Sequence, residues 1–270
     1  MKTRAVTSFF FVIVMFSSLC FGDYFFSGFY LLLSAFCLWE FYRLFKNSNI
    51  SPNVFSGIIN CIVIYLLLAL IAYKYNLFFH KLIFLLPLTV TAVFVQELFK
   101  KSPNPISDIF YTFGGLVYAC VPFTFFHAIA FINGPFNFHY PLVFLLLLWA
   151  NDTGAYLVGI KFGRHKLFER HSPKKTWEGF IGGIVTSCLV AFISSYFFKE
   201  LFWYQWTIIS LLICFFGTLG DLVESMFKRS IDVKDSGEIL PGHGGLLDRF
   251  DGLLLAAPIV YTYLYLISIY

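Results

Sequence analysis

The chain predicts an all-α polytopic integral membrane protein with about nine transmembrane helices and no soluble domain, and three observations carry that reading. Charged residues make up only 13% of the 270 positions and apolar ones 59%, against ~25% and ~45–50% in soluble domains. Apolar stretches close to the ~20 residues that cross a ~30 Å hydrocarbon layer recur along the whole sequence. The Lys and Arg residues between them fall on alternate loops. So few polar side chains could not cover a water-soluble core. Disorder, a disulfide scaffold and a nucleic-acid module are excluded too, the last because a net charge of +4 is too small for a polyanion surface.

The spans are expected near 6–22, 24–42, 54–72, 82–98, 109–131, 141–160, 178–198, 203–227 and 249–269. Gly22-Asp23 leaves only a tight turn between the first two. Lys2 and Arg4 before an apolar run imitate a signal peptide, but no small residue precedes Cys20 and no A-x-A site follows, so a retained first span is expected. The six cysteines form no C-x-x-C pair and read as small hydrophobes. One transmembrane domain is expected over 1–270, with spans 1–5 in 1–140 and a catalytic part in 141–270 carrying loops 161–177 and 228–248. With nine spans, 16 basic residues fall on the N-terminal side and 3 on the other. Positive residues stay inside. This places the N-terminus in the cytoplasm and the C-terminus outside, in a cell inner or plasma membrane.

Charge is concentrated: Asp152 and the segments 161–178 and 221–251 hold 20 of the 34 charged residues. All three open to the cytoplasmic side in this topology. An ionisable residue within a span costs ~2.5–3.5 kcal/mol on insertion scales, which makes Asn151-Asp152 a functional candidate beside the plainer reading of a polar interhelical pair. Asp221, Glu224, Ser225 and Lys228 share one helix face at i, i+3, i+4 and i+7. A solvated, ion-paired helix end explains Glu224 and Lys228 but not Asp221, a turn deeper. In the following loop an EF-hand starting at Asp232 fails at Lys234 and His243, and zinc lacks a second ligand for His243. What remains is a Gly-rich turn leading to Asp248 and Asp251, which either complement a helix dipole or, with Asp221, form a hard oxygen site. In the other loop Ser172, Pro173 and Thr176 look like the cap and first turn of a helix, an anion site beside Lys174 and Lys175; the alternative is a topology anchor. No Walker loop occurs. Carboxylates for metal and cations for phosphate at one membrane face describe phosphoryl or nucleotidyl transfer onto a lipid.

Ser225-x-Phe227-Lys228-Arg229, Lys234-Asp235-x-Gly237 and Leu240-Pro241-x-His243-Gly244-Gly245-Leu246-x-Asp248-Arg249-Phe250-Asp251 together resemble the signature of the CDP-diacylglycerol synthases (phosphatidate cytidylyltransferases). Ser172-Pro173-Lys174-Lys175-Thr176-x-Glu178-Gly179, Asn151-Asp152-x-x-Ala155-Tyr156 and Trp39-Glu40-Phe41-Tyr42-Arg43 are similar to further motifs of that family. The resemblance implies a dimeric membrane enzyme making CDP-diacylglycerol and pyrophosphate from CTP and phosphatidate, with Mg²⁺ and a second, monovalent cation such as K⁺. It implies a polar cavity facing the cytosol and opening to membrane lipids, and it matches Asp221 and Asp248 to metal-binding aspartates. Asp221, Asp248, Lys228 and Arg229 are then the expected catalytic set, with Asp251 and Asp152 as further metal ligands. Lys174, Lys175 and Arg249 would hold phosphates, and His243, Gly244 and Gly245 would offer backbone donors. Asn151, Ser172, Thr176, Ser225, Lys234 and Asp235 complete the substrate-binding set. Two rivals are a CTP-dependent lipid kinase, or a cytidylyltransferase acting on an ether lipid, and a cation-coupled transporter; the transporter would need midplane charges and inverted repeats, which are not evident.

Overall fold

The computed structural model describes residues 2–45, 49–73, 81–237 and 244–268. Nine helices run through them: α1 (Lys2–Cys20), α2 (Asp23–Leu44), α3 (Val54–Tyr73), α4 (Leu86–Phe99, entered through a 3₁₀ turn at Leu82–Leu85), α5 (Pro105–Ile129), α6 (His139–Phe162), α7 (Trp177–Phe197), α8 (Trp203–Ser230) and α9 (Leu247–Ser268). Seven are long and apolar enough to cross a membrane; α1 contains the shorter apolar stretch Phe9–Cys20, and α4 with its entering turn the stretch Ile83–Phe99. Each expected span thus coincides with a helix to within a few residues. Gly22, at φ +95°, makes the turn between α1 and α2.

Within a bilayer every backbone polar group must be satisfied internally, and helices do this. Phe84, Phe99, Phe192 and Tyr196 lie exposed on the outside, while Phe26, Tyr30, Phe123, Phe126, Phe144 and Trp206 are sealed in the centre. α8 has 28 residues, or about 42 Å at 1.5 Å each. That is more than a bilayer needs, so its C-terminal turns can carry polar side chains beyond the hydrocarbon.

Two helix pairs approach through glycine. On α7, a Cβ at Gly183 would meet the Asn151 main-chain oxygen at 2.8 Å, and one at Gly179 the Ala155 oxygen at 2.8 Å. On α8, a Cβ at Gly220 would run into the Asp251 carbonyl of α9. Small residues let helix backbones close in this way, and both seams lead to the polar end of the bundle.

One expectation is corrected. Ser172–Thr176 is not the first turn of a helix but strand β2, paired antiparallel with β1 (Lys166–Phe168). Only Thr176 caps α7, its hydroxyl accepting from the Gly179 amide at 3.2 Å. Pairing across the hairpin supplies the backbone partners that a helix would otherwise provide, and the helix begins at Trp177.

Candidate active site

A cavity of about 670 Å³ opens where α6, the hairpin, α7 and α8 meet. Asn151, Asp152, Lys174, Lys175, Thr176 and Asp221 line it, all singled out by the sequence. Tyr156, Ile160, Leu167 and Phe180 add apolar lining to it. Tyr156 and Ile160 also stand exposed on the outer face of α6. Polar and apolar side chains therefore line the same cavity.

Lys175 reaches from β2 to α8. Its Nζ lies 2.7 Å from Asp221 Oδ2 and donates to the Thr218 carbonyl at 3.5 Å. Ser225, one turn further along α8, donates to Asp221 Oδ1 at 3.3 Å. Asp251 comes near through the Gly220 contact and lies within electrostatic range of Asp221, Asp152 and Lys175. Arg249, exposed on α9, acts on Asp152 in the same way.

Asp248 belongs to a second cluster. Lys228 donates to Asp248 Oδ1 at 2.6 Å and to Glu224 Oε2 at 3.1 Å, in a mostly buried bridge between α8 and α9. The other carboxylate oxygen of Asp248 accepts from the Gly245 amide at 2.9 Å and the Ser236 amide at 3.0 Å. Gly244 beside it takes φ +84°, a conformation suited to glycine. Lys228 thus bridges helices and does not line the cavity, and each aspartate matched to metal binding is paired with a lysine. Arg229 donates to the Val233 carbonyl at 3.1 Å, and Lys234 and Asp235 are exposed on the loop. Ser172 sits in β2 off the cavity lining, and His243 lies outside the described residues. Among the described residues no three His, Cys, Asp or Glu side chains converge into a ready metal cluster.

The sequence reading missed three contributors. Lys166, counted only as a topology charge, lines the cavity from β1. Glu178 fastens the hairpin, accepting from the Arg164 amide at 3.0 Å and pairing with His165 Nδ1 at 2.6 Å. Glu40, buried on α2, accepts from the Leu247 amide at 2.8 Å. Glu178 and Glu40 stand inside quoted motifs, which was their only signal.

The profile of the cytidylyltransferase family matches residues 2–267. The chain belongs to this family. Similar curated relatives are named phosphatidate cytidylyltransferase. The one from Staphylococcus haemolyticus (strain JCSC1435) is 40% identical over 163 residues, 60% of this chain and 61% of the relative. Those from Staphylococcus saprophyticus subsp. saprophyticus and Staphylococcus aureus (strain COL) are 49% identical over 124 residues, 45% of this chain and 47% of each relative. The chain therefore spans about half to three fifths of the length of the curated relatives it matches. Both cavity and loop fall within the family match.

Proposed function

We propose that this cytidylyltransferase is a phosphatidate cytidylyltransferase, moving CMP from CTP to phosphatidate and releasing pyrophosphate. The observation that carries this reading is the cavity itself, whose lining combines lysines and carboxylates with apolar residues, of which Tyr156 and Ile160 are exposed on α6. A water-soluble polyanion and a lipid headgroup can meet in such a place.

A phosphatidate oxygen is already anionic at neutral pH, so no protein nucleophile is needed. That oxygen forms a bond to the α-phosphorus of CTP as the bond from this phosphorus to the bridging β-oxygen breaks. The barrier is repulsion between two polyanions together with charge growing on pyrophosphate. Lys166, Lys174 and Lys175 answer it by holding phosphate oxygens at the cavity wall. Tyr156, Ile160, Leu167 and Phe180 keep the acyl side dry.

Oxygen donors of this kind suit a hard dication, and Mg²⁺ is proposed on that chemistry. Asp152, Asp221 and Asp251 are hard carboxylates on three helices around Lys175, with Arg249 also acting on Asp152, and they would have to draw together to hold the ion. Asp248 would join them if Lys228 turned to phosphate. When bound, the ion would neutralise phosphate charge, and a monovalent cation could serve beside it. We place the cavity on the cytoplasmic side, from the 16:3 division of basic residues, and take the enzyme as a homodimer.

Purified protein should release pyrophosphate from CTP when phosphatidate is supplied and not when diacylglycerol replaces it. Release of CDP instead would support the lipid-kinase reading.

A further inference from the structure

Glu40 belongs to the second helix, 207 positions from the residue whose amide it binds. Its carboxylate is 1% exposed and, among the described residues, forms no ion pair. It faces the first turn of α9, where unpaired amides and the positive helix end accommodate an anion. Leu247 donates to Oε2 at 2.8 Å.

Described residues on either side of 238–243 pack close to this group. A Cβ on Gly245 would meet Glu40 Oε2 at 2.7 Å and Oε1 at 2.9 Å. One on Gly237 would meet Oε1 at 2.6 Å. The Glu40 side chain, from the other half of the chain, thus packs against both glycines, sharing Gly245 with the Ser236 hydroxyl. Asp248 in turn accepts from Gly245 and Ser236, and Lys228 pairs with it. Glu40 and Asp248 hold the loop between them.

We propose that Glu40 is a positioning residue, clamping the Gly-rich loop and the start of α9 so that Asp248 and Asp251 are presented correctly to α8. The proposal rests on the activity proposed above only for its kinetic readout. A displacement of about 1 Å can cost ~10²-fold in rate, so loss of the clamp acts on turnover more than on binding.

The test combines Glu40→Ala and Glu40→Gln with kinetics in detergent and hydrogen exchange read by mass spectrometry. Glu40→Ala should lower kcat by about 10²-fold and leave the CTP KM within about threefold. It should speed amide exchange across 244–248 at least tenfold while the rest of the bundle keeps its protection. Glu40→Gln keeps an acceptor for Leu247 and should recover a large part of both. Gly237→Ala should harm the wild type more than the Glu40→Ala background, where the side-chain atoms it meets are gone. Unchanged exchange at 244–248 overturns the clamp, and faster exchange with wild-type kcat overturns its part in the reaction. Should Glu40→Ala unfold, Glu40→Gln must show the same pattern in weaker form or the proposal fails. If wild-type protein does not turn over CTP with phosphatidate, the activity reading fails and the exchange result alone decides the clamp.

Discussion

Lys175 on the hairpin and Asp221 on the eighth helix meet at 2.7 Å, joining the two charged segments of the sequence inside one cavity. The basic segment follows α6 and the acidic one closes α8. Their contact joins the hairpin and α8 in one site.

Replacing Lys174 and Lys175 together with Gln should raise the CTP KM or lower kcat by at least tenfold, each lost phosphate contact costing about 1.5–3 kcal/mol. Insertion should be unaffected because Lys161, Arg164, Lys166 and Arg170 remain in that segment. Steady-state kinetics on correctly inserted protein measure this. Wild-type constants would leave the pair as topology anchors.

Asp221→Asn and Asp251→Asn should each reduce turnover roughly a hundredfold, the scale of losing one preorganised electrostatic contact. Asp248→Asn should be as severe, since its single remaining oxygen cannot serve both Lys228 and the Ser236 and Gly245 amides. Asp232, exposed and outside the signature, is the control and should tolerate Asn. Full activity in Asp221→Asn would end the metal assignment.

Chelation should abolish turnover, and titration with Mg²⁺ should restore it. Activity persisting in excess EDTA would remove the dication from the reaction.

Gly220→Ala places a methyl against the Asp251 carbonyl and should destabilise the protein by about 1–3 kcal/mol, the usual cost of overpacking. Thermal unfolding in detergent reads the change, and activity should fall further than stability because Asp221 and Asp251 separate. An unchanged midpoint with normal activity would show that the α8–α9 crossing has room to spare.

Helices were legible in the sequence because bilayer thickness fixes their length, and the Asp221–Ser225 and Glu224–Lys228 contacts follow directly from helical spacing. The hairpin was not. Ser172-Pro173 carries a helix-start signal, and only pairing with 166–168 makes it a strand. Long-range partners were equally hidden: nothing local ties Glu40 to Leu247, or Lys175 to Asp221. Lys166 was lost for a different reason, since a cation beside a span already has a topological explanation. Asp221 and Asp248 were read as one pair, yet each is held by its own lysine.

Cytidylyl transfer is tested most directly by following phosphorus from labelled CTP into lipid. Protein incubated with phosphatidate, Mg²⁺ and CTP labelled at the α-phosphate should yield a labelled lipid with the mass of CDP-diacylglycerol. CTP labelled at the γ-phosphate should leave the lipid unlabelled and put its label into pyrophosphate. Label reaching lipid from the γ-position, or from neither, would contradict the assignment.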